Sequence, residues 1–196
     1  MFRLAGRQVV KSRPRATAEV AQPLLRMLHS LTDQPAYVLD RRWNVLCWNQ
    51  PAEAVFGDYS RLAQEERNSM YMLFNNPEHR ELLLEWDKLA PIALKMFRSE
   101  NAAHAEDPDY NCLVESLTSV SPDFRRLWLQ HEVSSYVSIN KKIKHPIAGR
   151  MTFEYNSFTA DDQSDLKLVV YTPLEEHSTQ RKVRDLLGST MRREFL

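Results

Sequence analysis

The chain is poor in the residues that several common chemistries require. Glycine occurs only four times, at Gly6, Gly57, Gly149 and Gly188. No two lie close enough to form a phosphate-cradling loop, which excludes P-loop and dinucleotide-binding fingerprints. The two cysteines, Cys47 and Cys112, are far apart and make no Cys-x-x-Cys pair. That argues against a disulfide framework or a cysteine zinc site. Neither His131 nor His145 has a second histidine at metal-ligand spacing. No apolar run approaches the ~20 residues of a membrane helix. The N-terminus lacks the apolar core of a signal peptide, so a cytoplasmic protein without membrane contact is expected. An excess of one charge is missing too, since 26 basic residues balance 26 acidic ones. Free-standing nucleic-acid binding depends on neutralising phosphates, so these residues alone are not expected to bind DNA. There is no Gly-x-Ser-x-Gly elbow and no convincing nucleophile–base pair, and no enzyme activity is expected.

The apolar fraction of 43% is ordinary for a chain that buries a real core. Val20, Leu24, Met27, Leu28 and Leu31 recur at helical spacing and predict a helix over 20–31. A strand over 36–40, a tight Arg41-Arg42 connection and an aromatic and β-branched strand over 43–49 then suggest an antiparallel hairpin. Residues 51–131 read as helical. A short helix over 52–56 stops at Gly57, and Met70, Leu73 and Phe74 give a second apolar face. Leu82, Trp86, Leu89, Ala93 and Met96 follow a 3.6-residue period and mark the longest helix, which Pro91 should kink or split. Leu113, Val114 and Leu117 start another helix. Ser121-Pro122 opens a last one, with Phe124, Leu127, Trp128 and His131 on one face. Strand patterning then returns over 136–139, running on toward 144, and over 150–155 and 166–171, with a polar loop over 159–165. A short basic helix over 180–187 precedes a frayed end. Two strands, a helical block and three strands make an α+β class protein. The expected architecture is a PAS-like five-stranded antiparallel sheet with a helical insertion between strands 2 and 3 packed on one face, leaving a cavity between the layers.

Five stretches in order carry a resemblance. They are the run from Pro35 to Asn49 (PAYVLDRRWNVLCWN), Glu66-Arg67-Asn68 with Met72-Leu73-Phe74, and Ser121-Pro122-Asp123-Phe124-Arg125-Arg126-Leu127-Trp128. The last two are Lys142-Ile143-Lys144-His145-Pro146 leading to Glu154-Tyr155, and Leu168-Val169-Val170-Tyr171-Thr172. Together they resemble the ligand-binding domain of MmyB-like helix-turn-helix regulators. The resemblance implies residues 20–175 as a PAS-like ligand-binding domain and 176–196 as a C-terminal helix and tail. Residues 1–19 would be a linker and the remnant of a preceding helix-turn-helix domain, whose end Phe2-Arg3-Leu4-Ala5-Gly6 resembles. DNA would be a partner only through that helix-turn-helix domain. The ligand implied is a small apolar molecule, a fatty acid or similar lipid, and no other cofactor is expected.

A fatty acid needs an apolar channel and a polar mouth, because a carboxylate removed from water must find charge-assisted hydrogen bonds. Arg67 and Asn68, at the start of a helix, are candidates for that mouth; alternatively, Arg67 pairs with a carboxylate and ties its loop to the body. Tyr37 and Asn49 lie on the first hairpin, where Asn49 either faces the pocket or caps the following helix. His131 is either a hydrogen-bonded core residue or a ligand contact. The candidate apolar lining is Val45, Phe74, Trp86, Phe97, Trp128, Phe153 and Val170. Arg41, Arg42, Arg125 and Arg126 are expected on a solvated or interdomain face. A homodimer is expected, with the helix over 20–31 available as its interface. The competing function is a ligand-free PAS-like dimerisation module.

Overall fold

A computed structural model of the chain describes residues 20–130, 140–160 and 163–194. The N-terminal remnant over 1–19, the strand over 136–139 and His131 fall outside the described residues. Helix α1 (Gln22–Ser30) leads into strands β1 (Ala36–Asp40) and β2 (Val45–Trp48). Six helices follow: α2 (Gln50–Phe56), α3 (Ser69–Asn75), α4 (Pro77–Leu82), α5 (Trp86–Asn101), α6 (Pro108–Val120) and α7 (Pro122–Leu129). Strands β3 (Asn140–His145), β4 (Gly149–Ala160) and β5 (Gln163–Pro173) precede helix α8 (Thr179–Glu194). The strands form one sheet in the order β2-β1-β5-β4-β3, with every pairing antiparallel. This is the α+β architecture expected, with the helical block inserted between the second and third strands.

The sheet buries both faces, and the alternation along each strand sorts the side chains. Tyr37 and Leu39 of β1 and Val169 and Tyr171 of β5 face the inserted helices and join the larger core. Ala36, Val38, Leu166, Leu168 and Val170 face the other way, where α1 covers them with the fully buried Leu28. Leu24 and Leu31 of the α1 stripe pack there too, so most of that stripe is used within the chain. Met27 remains exposed.

Two buried asparagines hold the hairpin in place. The Asn49 carboxamide oxygen accepts from the backbone N–H of Ala36 (2.9 Å) and of Ala52 (3.0 Å). Its nitrogen donates to the carbonyls of Leu31 and Gln34, both at 2.8 Å. One side chain thus caps α2 and ties α1 to β1. Asn68 caps α3 through Met70 and Tyr71 and donates to the Arg42 carbonyl and to Asn44 Oδ1.

Several boundaries differ from the sequence reading for local reasons. Trp43 belongs to the turn, not to the second strand, with φ +65°. The Asp40 carboxylate accepts from the N–H of Arg42 and Asn44 and stabilises that turn. Leu82 ends α4 instead of joining the longest helix, and Leu83 bridges to Ile143 on the sheet edge. Helix α5 runs unbroken through Pro91, which sits in its second turn. The loss there is one bond to the Asp87 carbonyl, which sixteen residues of helix tolerate. Of the polar loop expected over 159–165, residues 159–160 end β4 and residues 163–165 begin β5. Thr159 and Asp165 face solvent there, on a two-stranded ribbon that needs no core. Finally, α8 runs past the short helix expected over 180–187 and packs on the body. Val183 is fully buried and Leu186 nearly so in the larger core.

Candidate functional site

Between the inner sheet face and the helices lies a mostly apolar cavity of about 70 Å³. The sheet contributes Tyr37, Leu39, Lys141, Tyr155, Val169 and Tyr171. The helices contribute Met70, Met72, Leu73, Leu89, Ala93 and Met96. Methionine is unbranched and adapts its shape easily, so three of the helical walls are pliable. A more open cleft of about 150 Å³ runs between α5 and β3, past Leu83, Ile92 and Lys142. Leu89 and Lys141 belong to both hollows and form the partition between them.

The polar groups of the inner cavity form a connected strip. Lys141 comes from β3, whose alternation exposes Asn140, Lys142 and Lys144 and buries Lys141, Ile143 and His145. Its ammonium nitrogen contacts Tyr171 Oη at a long 3.5 Å. It also sits 4.4 Å from the Phe56 ring centre and 4.8 Å from that of Tyr171. Those ring faces offset part of the charge's desolvation, but Lys141 has no carboxylate partner among the described residues. Burial lowers its amine from the usual 10.5 to about 7. The strip continues through Tyr171 Oη to Tyr37 Oη, 2.9 Å away. The Ser69 hydroxyl faces the Tyr37 phenol without completing a hydrogen bond of good geometry. Burial raises the pKa of the Tyr37, Tyr59 and Tyr171 phenols, so all three stay protonated at neutral pH. His79 of α4 is also in the wall, and burial, with the nearby Lys141 charge, lowers its imidazole to about 3. A neutral histidine, neutral phenols and one lysine make a site that favours an anionic or strongly polar group.

Of the residues singled out from the sequence, Tyr37 lines this cavity. Val45, Phe74, Trp86, Phe97 and Phe153 lie in the same core but away from the cavity wall. Phe97 packs between Trp43 and Tyr110, and Phe74 between Trp86 and Phe124. The Trp86 indole donates to the Leu73 carbonyl at 2.7 Å. Trp128 stacks on Phe124, and the Arg98 guanidinium lies over its outer face. Val170 points to the opposite face of the sheet, under α1. Asn49 and Asn68 use their side chains on backbone groups, as described above. Arg67 sits beside β2, where its carbonyl accepts from Val45 N–H at 2.7 Å. Its Nε is buried with no hydrogen-bond partner among the described residues. The structure therefore brings together Tyr37, Tyr171, His79 and Lys141, not Arg67 and Asn68. Lys141 was legible in principle: once Ile143 is taken as a core position, period 2 places Lys141 inward as well.

The arginines form no basic patch. Arg41 pairs with Asp107 at 2.6 Å, Arg42 with Asp109 at 2.7 Å, and Arg126 with Asp123 at 3.1 Å. Arg125 donates to the Thr118 and Ser119 carbonyls. Among the described residues there is no cluster of His, Cys, Asp and Glu suited to a metal ion. No described helix is long and apolar enough to cross a membrane.

No curated protein matches the chain. The model of one protein family, described as the MmyB-like transcription regulator ligand binding domain, matches residues 20–187. The match takes in the whole sheet, the inserted helices and the packed part of α8. The chain belongs to the MmyB-like transcription regulator ligand binding domain family.

Proposed function

We propose that this ligand-binding domain senses a small apolar molecule with an acidic head, a fatty acid or similar lipid, in the cavity around Lys141. The observation that carries the reading is a buried lysine without a carboxylate partner among the described residues, set in the wall of an apolar hollow. A carboxylate arriving there would gain a charge-assisted bond from Lys141, and the Tyr171 hydroxyl lies beside it as a second donor. The aliphatic chain would lie against Met70, Met72, Met96 and Val169.

The size of the cavity supplies the sensing step. At about 70 Å³ it is smaller than the ~150 Å³ hollow that admits a single benzene. A fatty acyl chain therefore enters only if walls yield. The pliable walls are the methionines, and displacement of the Leu89–Lys141 partition joins the cavity to the cleft. Binding would move α3 and α5 against the sheet, and differential affinity for the opened packing would convert ligand concentration into a conformational signal. The Arg67–Asn68 mouth is set aside in favour of Lys141, because the Asn68 carboxamide is fully engaged with the turn and α3.

Native mass spectrometry of protein purified from cells, followed by thermal shift with decanoate and decanol, tests the reading. The expected result is a retained lipid mass and a larger shift with the acid than with the alcohol. Lys141→Met should erase that preference. A mass equal to the bare chain, with no shift from any medium-chain or long-chain acid, would overturn it.

A further inference from the structure

We infer that Lys141 also captures aldehydes of the same chain shape, forming a reversible imine inside the cavity. The inference rests on the reading of this cavity as the ligand site, and it adds a second ligand class with covalent chemistry. Four observations converge. Lys141 is buried, with 7% of its surface exposed, so its amine is directed into the protein and not into water. It lines an apolar cavity where a hydrophobic aldehyde would be concentrated. No carboxylate among the described residues holds it as an ammonium, and the neutral Tyr171 hydroxyl accepts from it at a long 3.5 Å. Burial supports the unprotonated form, because it lowers the amine to about 7.

The steps balance without any oxidant or reductant. The lone pair of the neutral Lys141 nitrogen attacks the carbonyl carbon, and the carbonyl π pair moves to oxygen. Proton transfer from nitrogen to oxygen gives a carbinolamine. The Tyr171 hydroxyl, hydrogen-bonded to Tyr37, is placed to relay that proton. Loss of water then forms the carbon–nitrogen double bond. Exclusion of bulk water by the methionine wall favours the imine over its hydrolysis. Exposed lysines such as Lys88, Lys95 and Lys144 lack these conditions. They stand in water, where imines hydrolyse.

The test incubates the purified chain with substoichiometric decanal and cyanoborohydride at neutral pH. Trapping reduces the imine to a secondary amine, so the adduct adds the mass of the aldehyde less one oxygen. Peptide mapping should place it on Lys141 at least about tenfold above any exposed lysine, reflecting the larger free-amine fraction. Excess decanoate should compete it away, and Lys141→Arg, which keeps the charge but lacks the nucleophile, should abolish it. Lys141→Met serves as the apolar control for folding, checked by a cooperative melt. Adducts spread evenly over exposed lysines would overturn the inference. Decanoate binding without a Lys141 adduct would overturn the imine and leave the lipid-sensing reading standing. Failure of both ligands to bind would overturn both.

Discussion

Replacing Lys141 with methionine should change how stability depends on pH, and the structure sets the sign and scale. Burial holds the Lys141 amine at about 7 in the folded chain, against 10.5 when it is exposed. At ~1.36 kcal/mol per pKa unit, keeping that amine charged costs the folded state on the order of 5 kcal/mol. Between pH 7 and 10.5 the unfolded chain binds a proton that the native chain does not, so stability rises with pH in that window. The slope approaches ~1.4 kcal/mol per pH unit for this single group. Near the top of the window the opposite effect sets in. The buried phenols of Tyr37, Tyr59 and Tyr171 are held above their usual value of 10, so the unfolded chain ionises first and stability declines. His79, the titratable neighbour in the same wall, is already neutral throughout. Urea unfolding followed by tryptophan fluorescence from about pH 7 to about 9.5 should show wild type gaining a few kcal/mol relative to Lys141→Met. The variant should be the more stable protein at the low end, and the two curves should converge upward. Parallel curves across the window would refute the argument, because they would mean the amine is not held neutral by burial. Saturating decanoate should flatten the wild-type curve if the acid restores the ammonium.

Other consequences are equally direct. Asn49→Ala removes the side-chain hydrogen bonds that join α1, β1 and α2, and a loss of roughly 2–4 kcal/mol in chemical denaturation is expected. Phe97→Ala, at a fully buried ring between Trp43 and Tyr110, should cost about 3–5 kcal/mol in the same assay. Ala93→Leu fills the cavity from α5. It should alter stability by less than about 1.5 kcal/mol while abolishing the thermal shift with decanoate, and a retained shift would place the ligand elsewhere. Deleting residues 176–196 strips Val183 and Leu186 from the core, and the melt should lose its cooperativity; an unchanged melt would contradict the packing of α8.

Period, punctuation and composition were enough to place most of the fold. The 2.0-residue alternation of β1 and β5 and the 3.6-residue stripes of α1 and α5 are local properties, written in neighbouring residues. So are the Gly57 stop, the Asn49 cap and the Ser121-Pro122 start. The order of strands and helices therefore followed from the chain alone, and with it the α+β class. The site did not. Val170 reads as cavity lining, and only the sheet's second layer under α1 shows that it joins the opposite core. Asn68 reads as a polar mouth, and only the Arg42 carbonyl and the Asn44 side chain, brought in from the hairpin, reveal it as a structural tie. Lys141 lies where the sequence marks only a strand running on toward residue 144. It becomes a buried amine because β3 packs its inward positions against α4 and Phe56, residues more than fifty positions earlier. A side chain's type is settled locally, whereas its dielectric surroundings are set by whatever the fold packs around it, and those surroundings are what lower the Lys141 amine.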